Sequence, residues 1–167
     1  MLRTSVFGAL LVAAVAVACG PGKPPLEQRT GSAVSTSVRA HLHDSVSVGV
    51  IDLDRYRGSE PAVFDQVVPN EAVEGVRILG YVVVSTPGEG IRSADGFPPA
   101  GVVARSLRGF RLTPGRGPIQ VVVGLELTHE GVHHVEGFTL RYHVGSKDFE
   151  QVFHEAASIC SFGFNAC

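Results

Sequence analysis

Apolar and polar residues alternate with a period of two along much of the chain. Ile119, Val121, Val123, Leu125 and Leu127 share one parity, and Gln120, Val122, Gly124, Glu126 and Thr128 the other. Successive side chains of an extended backbone point to opposite faces, so Ile119 to Thr128 is expected as a strand with one buried face. Phe138, Leu140, Tyr142 and Val144 repeat the pattern against Thr139, Arg141 and His143, as Val46, Val48 and Val50 do against Ser45, Ser47 and Gly49. Val76 to Thr86 is rich in β-branched residues, which suit a pleated surface. Shorter strands are expected at Val102 to Arg105, Leu107 to Leu112 and Phe149 to His154.

Turn residues punctuate these stretches. Thr86-Pro87-Gly88-Glu89-Gly90 and Phe97-Pro98-Pro99-Ala100-Gly101 bracket a long loop. Thr113 to Pro118 and Gly145 to Asp148 each separate two strands. Short strands at this spacing imply an all-β, antiparallel sandwich. The one helical candidate is Glu60 to Val67, where Pro61 suits a first turn. No stretch repeats another at a fixed period.

The N-terminus reads differently. Arg3 is followed by an uncharged apolar run to Ala18, the layout of a secretory signal, and the run is short for a membrane span. It ends Ala16-Val17-Ala18-Cys19-Gly20. Ala16 and Ala18 satisfy an ordinary A-x-A cleavage site. The same string resembles the lipobox of bacterial lipoproteins, with Ala16 in place of the usual Leu. That resemblance implies cleavage before Cys19, a lipid on Cys19, and attachment to the extracytoplasmic side of a bacterial envelope membrane. Gly20-Pro21-Gly22-Lys23-Pro24-Pro25 cannot continue a helix, and Ser, Thr and Gly dominate up to Arg39. The expected organisation is a signal peptide over 1–18, a lipidated cysteine and flexible linker over 19–40, and a sandwich domain over 41–167.

Leu112-Thr113-Pro114-Gly115, the alternating valines after Ile119, and Gly137-Phe138-Thr139-Leu140-Arg141-Tyr142 together resemble bacterial immunoglobulin-like modules. The resemblance covers roughly Leu107 to Cys160. It implies an immunoglobulin-like β-sandwich with an inward Tyr142, acting as an accessory or binding module. It names no ligand.

Composition narrows the function. The chain has 167 residues, 18% of them charged, and a formal net charge of -2. That length suits one domain, and nothing in the charge would neutralise a run of phosphates, so nucleic acid is not expected as a partner. A membrane, through the lipid, and an envelope protein or glycan are the expected contacts. Of Cys19, Cys160 and Cys167, the last two lie close together in sequence. In an oxidising compartment they suit a disulfide, and the alternative is a thiol pair holding a metal.

One string looks catalytic. His129-Glu130-Gly131-Val132-His133 matches H-E-x-x-H, in which two histidines bind zinc and the glutamate serves as general base. That chemistry requires a helix, because only there do positions i and i+4 share a face. Here the string falls between two expected strands and contains Gly131, so a hairpin connection fits better than a helix. His129, His133 and His134 remain candidate ligands for Zn²⁺ or Cu²⁺ without catalysis, with Glu130 and Glu136 beside them and His41 and His43 further off. The expectation is no catalytic residue and no cofactor, with an extracytoplasmic metal-binding protein or a zinc peptidase as the alternative. Asp52 and Asp54 would share a strand face, too few oxygens for calcium. Arg105, Arg108, Arg111 and Arg116 gather around the Pro-Gly turn, as edge protection or as a contact for an anionic headgroup or glycan.

Overall fold

The computed structural model describes residues 25–28, 35–86, 90–164 and 167. The signal segment, Cys19 and the residues up to Pro24 lie outside them. All regular structure among the described residues is strand. The strands are β1 (Leu26–Gln28), β2 (Thr36–Ala40), β3 (Ser45–Tyr56), β4 (Ala62–Pro69), β5 (Val76–Ser85) and β6 (Ser93–Asp95), followed by β7 (Ala104–Ser106), β8 (Arg111–Leu112), β9 (Ile119–Leu127), β10 (Val132–Val144) and β11 (Lys147–Ser161).

Two sheets form. One runs β1-β3-β9-β5-β7, with β6 also on β3, and the other runs β2-β11-β10-β4-β8. Taken in chain order, β1, β3, β4, β5, β9, β10 and β11 occupy the places A to G of an immunoglobulin domain. The A-B-E-D sheet faces the G-F-C sheet. The fold is thus an immunoglobulin-like β-sandwich. All pairings are antiparallel except β2 with β11, which is parallel from Ala157↔Thr36 to Ser161↔Ala40.

The core lies between the sheets. Val121, Val123, Leu125 and Leu127 meet Phe138, Leu140, Tyr142, Phe153 and Ile159, all essentially without exposure. Burying one such side chain stabilises the fold by about 1.5–3 kcal/mol. Tyr142 points inward, as expected, and stacks on Phe149 with ring centroids 5.2 Å apart.

Four features depart from the sequence expectation. The segment Glu60 to Val67 is not helical but contributes β4. Ala62 and Phe64 are buried, and so is Val67, because Asp65 is an extra residue between the pairs Tyr142↔Phe64 and Arg141↔Gln66. That bulge switches the inward parity and gives a spacing that imitates a helix turn. The spacer also ends early. Leu26–Gln28 pairs with β3 and Thr36–Ala40 with β11, so the sandwich begins well before residue 41. Thr36 and Val38 are β-branched and suit a strand once an edge is available to pair with. Of Leu107 to Leu112, only Arg111–Leu112 is strand.

The fourth departure is β9, which is buried on both faces rather than one. Val122 joins Val82 and Val84 in a second apolar cluster under Ile91, Phe97 and Ala104, so the long loop lies over the outer face of the sheet. Gln120 is buried there and accepts a hydrogen bond from the Ile91 N–H at 2.8 Å. Two glycines permit this close approach. A Cβ on Gly49 would lie 2.1 Å from the Ile91 carbonyl oxygen, and one on Gly124 would lie 2.3 Å from the Phe97 ring.

Candidate functional site

The sandwich has two poles with different chemistry. Leu26 pairs with Tyr56, so the chain enters the domain at the C-terminal end of β3. The other pole gathers the β2–β3 loop, the β4–β5 loop, the β9–β10 loop and the tail after β11. Backbone hydrogen bonds tie these together: His43 N–H donates to the Leu127 carbonyl, Thr128 and His129 N–H to Gly75, and Ser161 N–H to Gly131. β3 separates the poles by roughly 40 Å at about 3.4 Å per residue.

At this loop pole the histidines do not converge. The H-E-x-x-H string is a turn running into β10, with Gly131 at φ +133°, so His129 and His133 share no helical face. His133 Nε2–H donates to the His129 carbonyl at 3.0 Å, and its ring packs on Gly75, where a Cβ would lie 2.0 Å from Cε1. His134 is the next residue of the strand and therefore faces the opposite way. Its Nδ1 lies 2.9 Å from Ser158 Oγ. His129 Nδ1 lies 3.1 Å from its neighbour Thr128 Oγ1. Each candidate ligand thus has a separate local partner. Among the described residues no group of three or more His, Cys, Asp or Glu could hold a metal ion.

Apolar exposure at the same pole was not legible as a site. Phe162 and Phe164 are 54% and 43% exposed, and Leu42 is 42% exposed. Phe162 stacks on His41 at 4.3 Å between ring centroids. Cys160 and Cys167 are joined in a disulfide, with Cα atoms 5.9 Å apart, which ties the end of the tail to β11. Arg77 on β5 pairs with Glu126 on β9, and His43 Nδ1 lies 3.6 Å from the same carboxylate. The guanidinium of Arg77, chiefly through its hydrogen bond, holds the Glu126 carboxyl below its ordinary value.

A groove of about 710 Å³ lies on the outer face of the β4-β10-β11 sheet. Val152, Ala156, Gly137 and Thr139 line it, with Glu71, Glu136 and Glu150 also on its walls. It sits over a bulge, since His154 and Glu155 together oppose the single Gly137, between the pairs Phe138↔Phe153 and Glu136↔Ala156. Asn70 braces the bulge by donating from Nδ2 to the Phe153 carbonyl at 3.2 Å and accepting from Thr139 Oγ1 at 2.6 Å. Arg141 is paired with Glu150 at 3.0 Å. The groove was hidden in the sequence because its residues come from distant stretches.

The remaining candidates stay dispersed. Asp52 and Asp54 lie on β3, with Asp54 exposed. Arg105 lies on β7 in one sheet and Arg111 on β8 in the other, while Arg108 and Arg116 are exposed in connecting turns.

No protein-family model matches the chain, and no curated protein matches it. Among solved structures, the chain is similar to the ASH / PapD-like domain of human CEP192 (PapD-like domain 7). The two share 12% identity over 95% of this chain and 96% of that one, with a TM-score of 0.40.

Proposed function

We propose that this chain is a bacterial envelope lipoprotein whose immunoglobulin-like sandwich is a non-enzymatic binding or structural module. One observation carries the reading: the described chain enters at one pole, and Leu42, Phe162 and Phe164 stand exposed at the other. A lipid on Cys19 would hold the entry pole within about 20 Å of a membrane, since the few residues from Cys19 to Pro25 reach no further at ~3.5 Å each. Leu42, Phe162 and Phe164 would then face away from that membrane, free to meet an envelope protein or glycan. The local hydrogen bonds of His129, His133 and His134 give the metal-dependent alternative no support.

Detergent-phase partitioning tests the anchor. The parent protein is expected in the detergent phase, and Cys19→Ala in the aqueous phase. Identical partitioning of the two would remove the anchor.

A further inference from the structure

Arg105 and Arg111 belong to different sheets, yet those sheets end on a common flank. β7 closes one and β8 the other, and only residues 107–110 lie between them in the chain. That short run crosses from sheet to sheet, a step of about 10 Å. Leu107 and Leu112 are buried in the core, and the Phe110 ring lies 5.5 Å from that of Phe64 between centroids. The Gly109 N–H donates to the Phe64 carbonyl at 2.8 Å, and the Phe64 N–H to the Phe110 carbonyl at 2.9 Å. The apolar residues thus fix the run inward and leave Arg105, Arg108 and Arg111 exposed. Arg116 is exposed in the next turn, whose Gly115 N–H donates to the Tyr56 carbonyl at the entry pole. Just before β7, Val102 and Val103 are 41% and 79% exposed. Ala104 pairs with Val84, beside the pair Ser85↔Ile119, so the valines also stand at the entry-pole end.

The charge on this flank is of one sign. Between Asp95 and Glu126 the chain carries these four arginines, no lysine and no acid. Among the described residues no side-chain hydrogen bond or ion pair engages any of the four. The engaged arginines are elsewhere: Arg57 on Glu27, Arg77 on Glu126 and Arg141 on Glu150. Acids on the adjoining elements turn away. Asp65 meets His143 on the far side of β4 at 3.0 Å, and Glu60 stands against Gly145, where a Cβ would lie 2.8 Å from its carboxylate. Charge on Arg105 and Arg111 protects two edge strands from stray pairing. Arg108 and Arg116 sit in turns with no ladder to protect, and exposed valines protect nothing.

We propose that this flank seats on an anionic phospholipid surface, with the four arginines on headgroup phosphates and Val102 and Val103 in the interfacial region. The proposal rests on the anchored reading and deepens it: a lipid on Cys19 delivers the entry pole, and the flank beside that pole selects which side of the domain lies down. A soluble anionic glycan would meet the arginines but leave the valines without a role.

The test uses the full chain in vesicles of phosphatidylcholine alone, or of phosphatidylcholine and phosphatidylglycerol in equal parts. A polarity-sensitive dye on Val103→Cys is expected to shift to the blue in the anionic vesicles only, and to lose the shift in concentrated salt. The same dye on Leu42→Cys, at the loop pole, is expected to shift in neither. Hydrogen exchange of the unlabelled chain is expected to slow over residues 102–112 in the anionic vesicles. Arg108→Gln is expected to lower the ratio of inserted to solvent-exposed dye about fivefold, at about 1 kcal/mol per arginine. Arg108→Glu with Arg116→Glu is expected to abolish the shift. Both side chains are exposed, so an unchanged melting curve verifies the fold. Equal shifts in the two vesicles, a shift indifferent to charge reversal, or no shift would each overturn the proposal. Slowed exchange over residues 102–112 with soluble dextran sulfate but not with anionic vesicles would assign the flank to a polyanionic glycan, and would also overturn it. Cys19-dependent partitioning without a shift at Val103→Cys would sink this proposal and leave the anchor standing. A shift in anionic vesicles while Cys19→Ala partitions like the parent would remove the anchor and support the flank.

Discussion

Covering the outer face of the A-B-E-D sheet with the long loop requires a glycine at 124. The Phe97 ring stands so close that a Cβ there would lie 2.3 Å from Cγ and 2.5 Å from Cδ2. Gly124→Ala must therefore push the ring away and loosen its cover over Val82, Val84 and Val122. Overpacking of this kind costs about 1–3 kcal/mol. Gly124 has no positive φ, so alanine also returns about 0.4–1 kcal/mol by restricting the unfolded chain. The net expectation is a destabilisation of about 1–2 kcal/mol, read from the shift of the urea midpoint at unchanged slope. Phe97→Ala removes the obstacle. In that background Gly124→Ala should be neutral or stabilising, giving a coupling of about 1–3 kcal/mol in the double-mutant cycle. Equal cost of Gly124→Ala with and without the Phe97 ring would refute the packing argument.

Other consequences follow from burial and charge. Burial raises the Tyr81 phenol from 10.0 to about 12. A raised folded value means stability is fully present below pH 10 and lost as pH rises from there through about 12, and a phenolate absorbance titration against a urea series checks both points. Glu126 is shifted the other way, so its contribution is present above its ordinary value of 4.5 and lost as pH falls below it. Carboxyl NMR titration should show Arg77→Ala returning Glu126 towards 4.5, and no change would contradict the assigned cause. The disulfide closes a short loop, with a sequence separation of 7. Its removal in Cys160→Ser with Cys167→Ser is expected to cost at most about 2.5 kcal/mol by the chain-entropy argument and to leave the sandwich folded. Loss of far-UV strand signal at 25 °C would contradict that.

Period-two alternation exposed the long strands because one face of each enters a single core. It failed where another constraint interfered. Asp65 shifts the parity of β4, so Ala62, Phe64 and Val67 mimic helical spacing. Thr36 to Ala40 read as spacer because the strand is short and its apolar face is Val38 and Ala40 alone, too brief an alternation to stand out. His133 and His134 read as a loop tip, although β10 already includes them. Gln120 and Gly124 looked solvent-facing because nothing local announces that a loop will fold back over them. The H-E-x-x-H string could be judged from context alone, since a strand on either side leaves no room for a helix. The groove depends on Glu71, Glu136 and Glu150, brought together only by cross-strand register, which no local pattern encodes.

The most direct test of the account is the intact mass of the mature protein recovered from membranes of its native host. The account predicts a chain beginning at Cys19 and carrying fatty-acyl mass on that residue. A chain that begins elsewhere, or at Cys19 without added lipid, would contradict it.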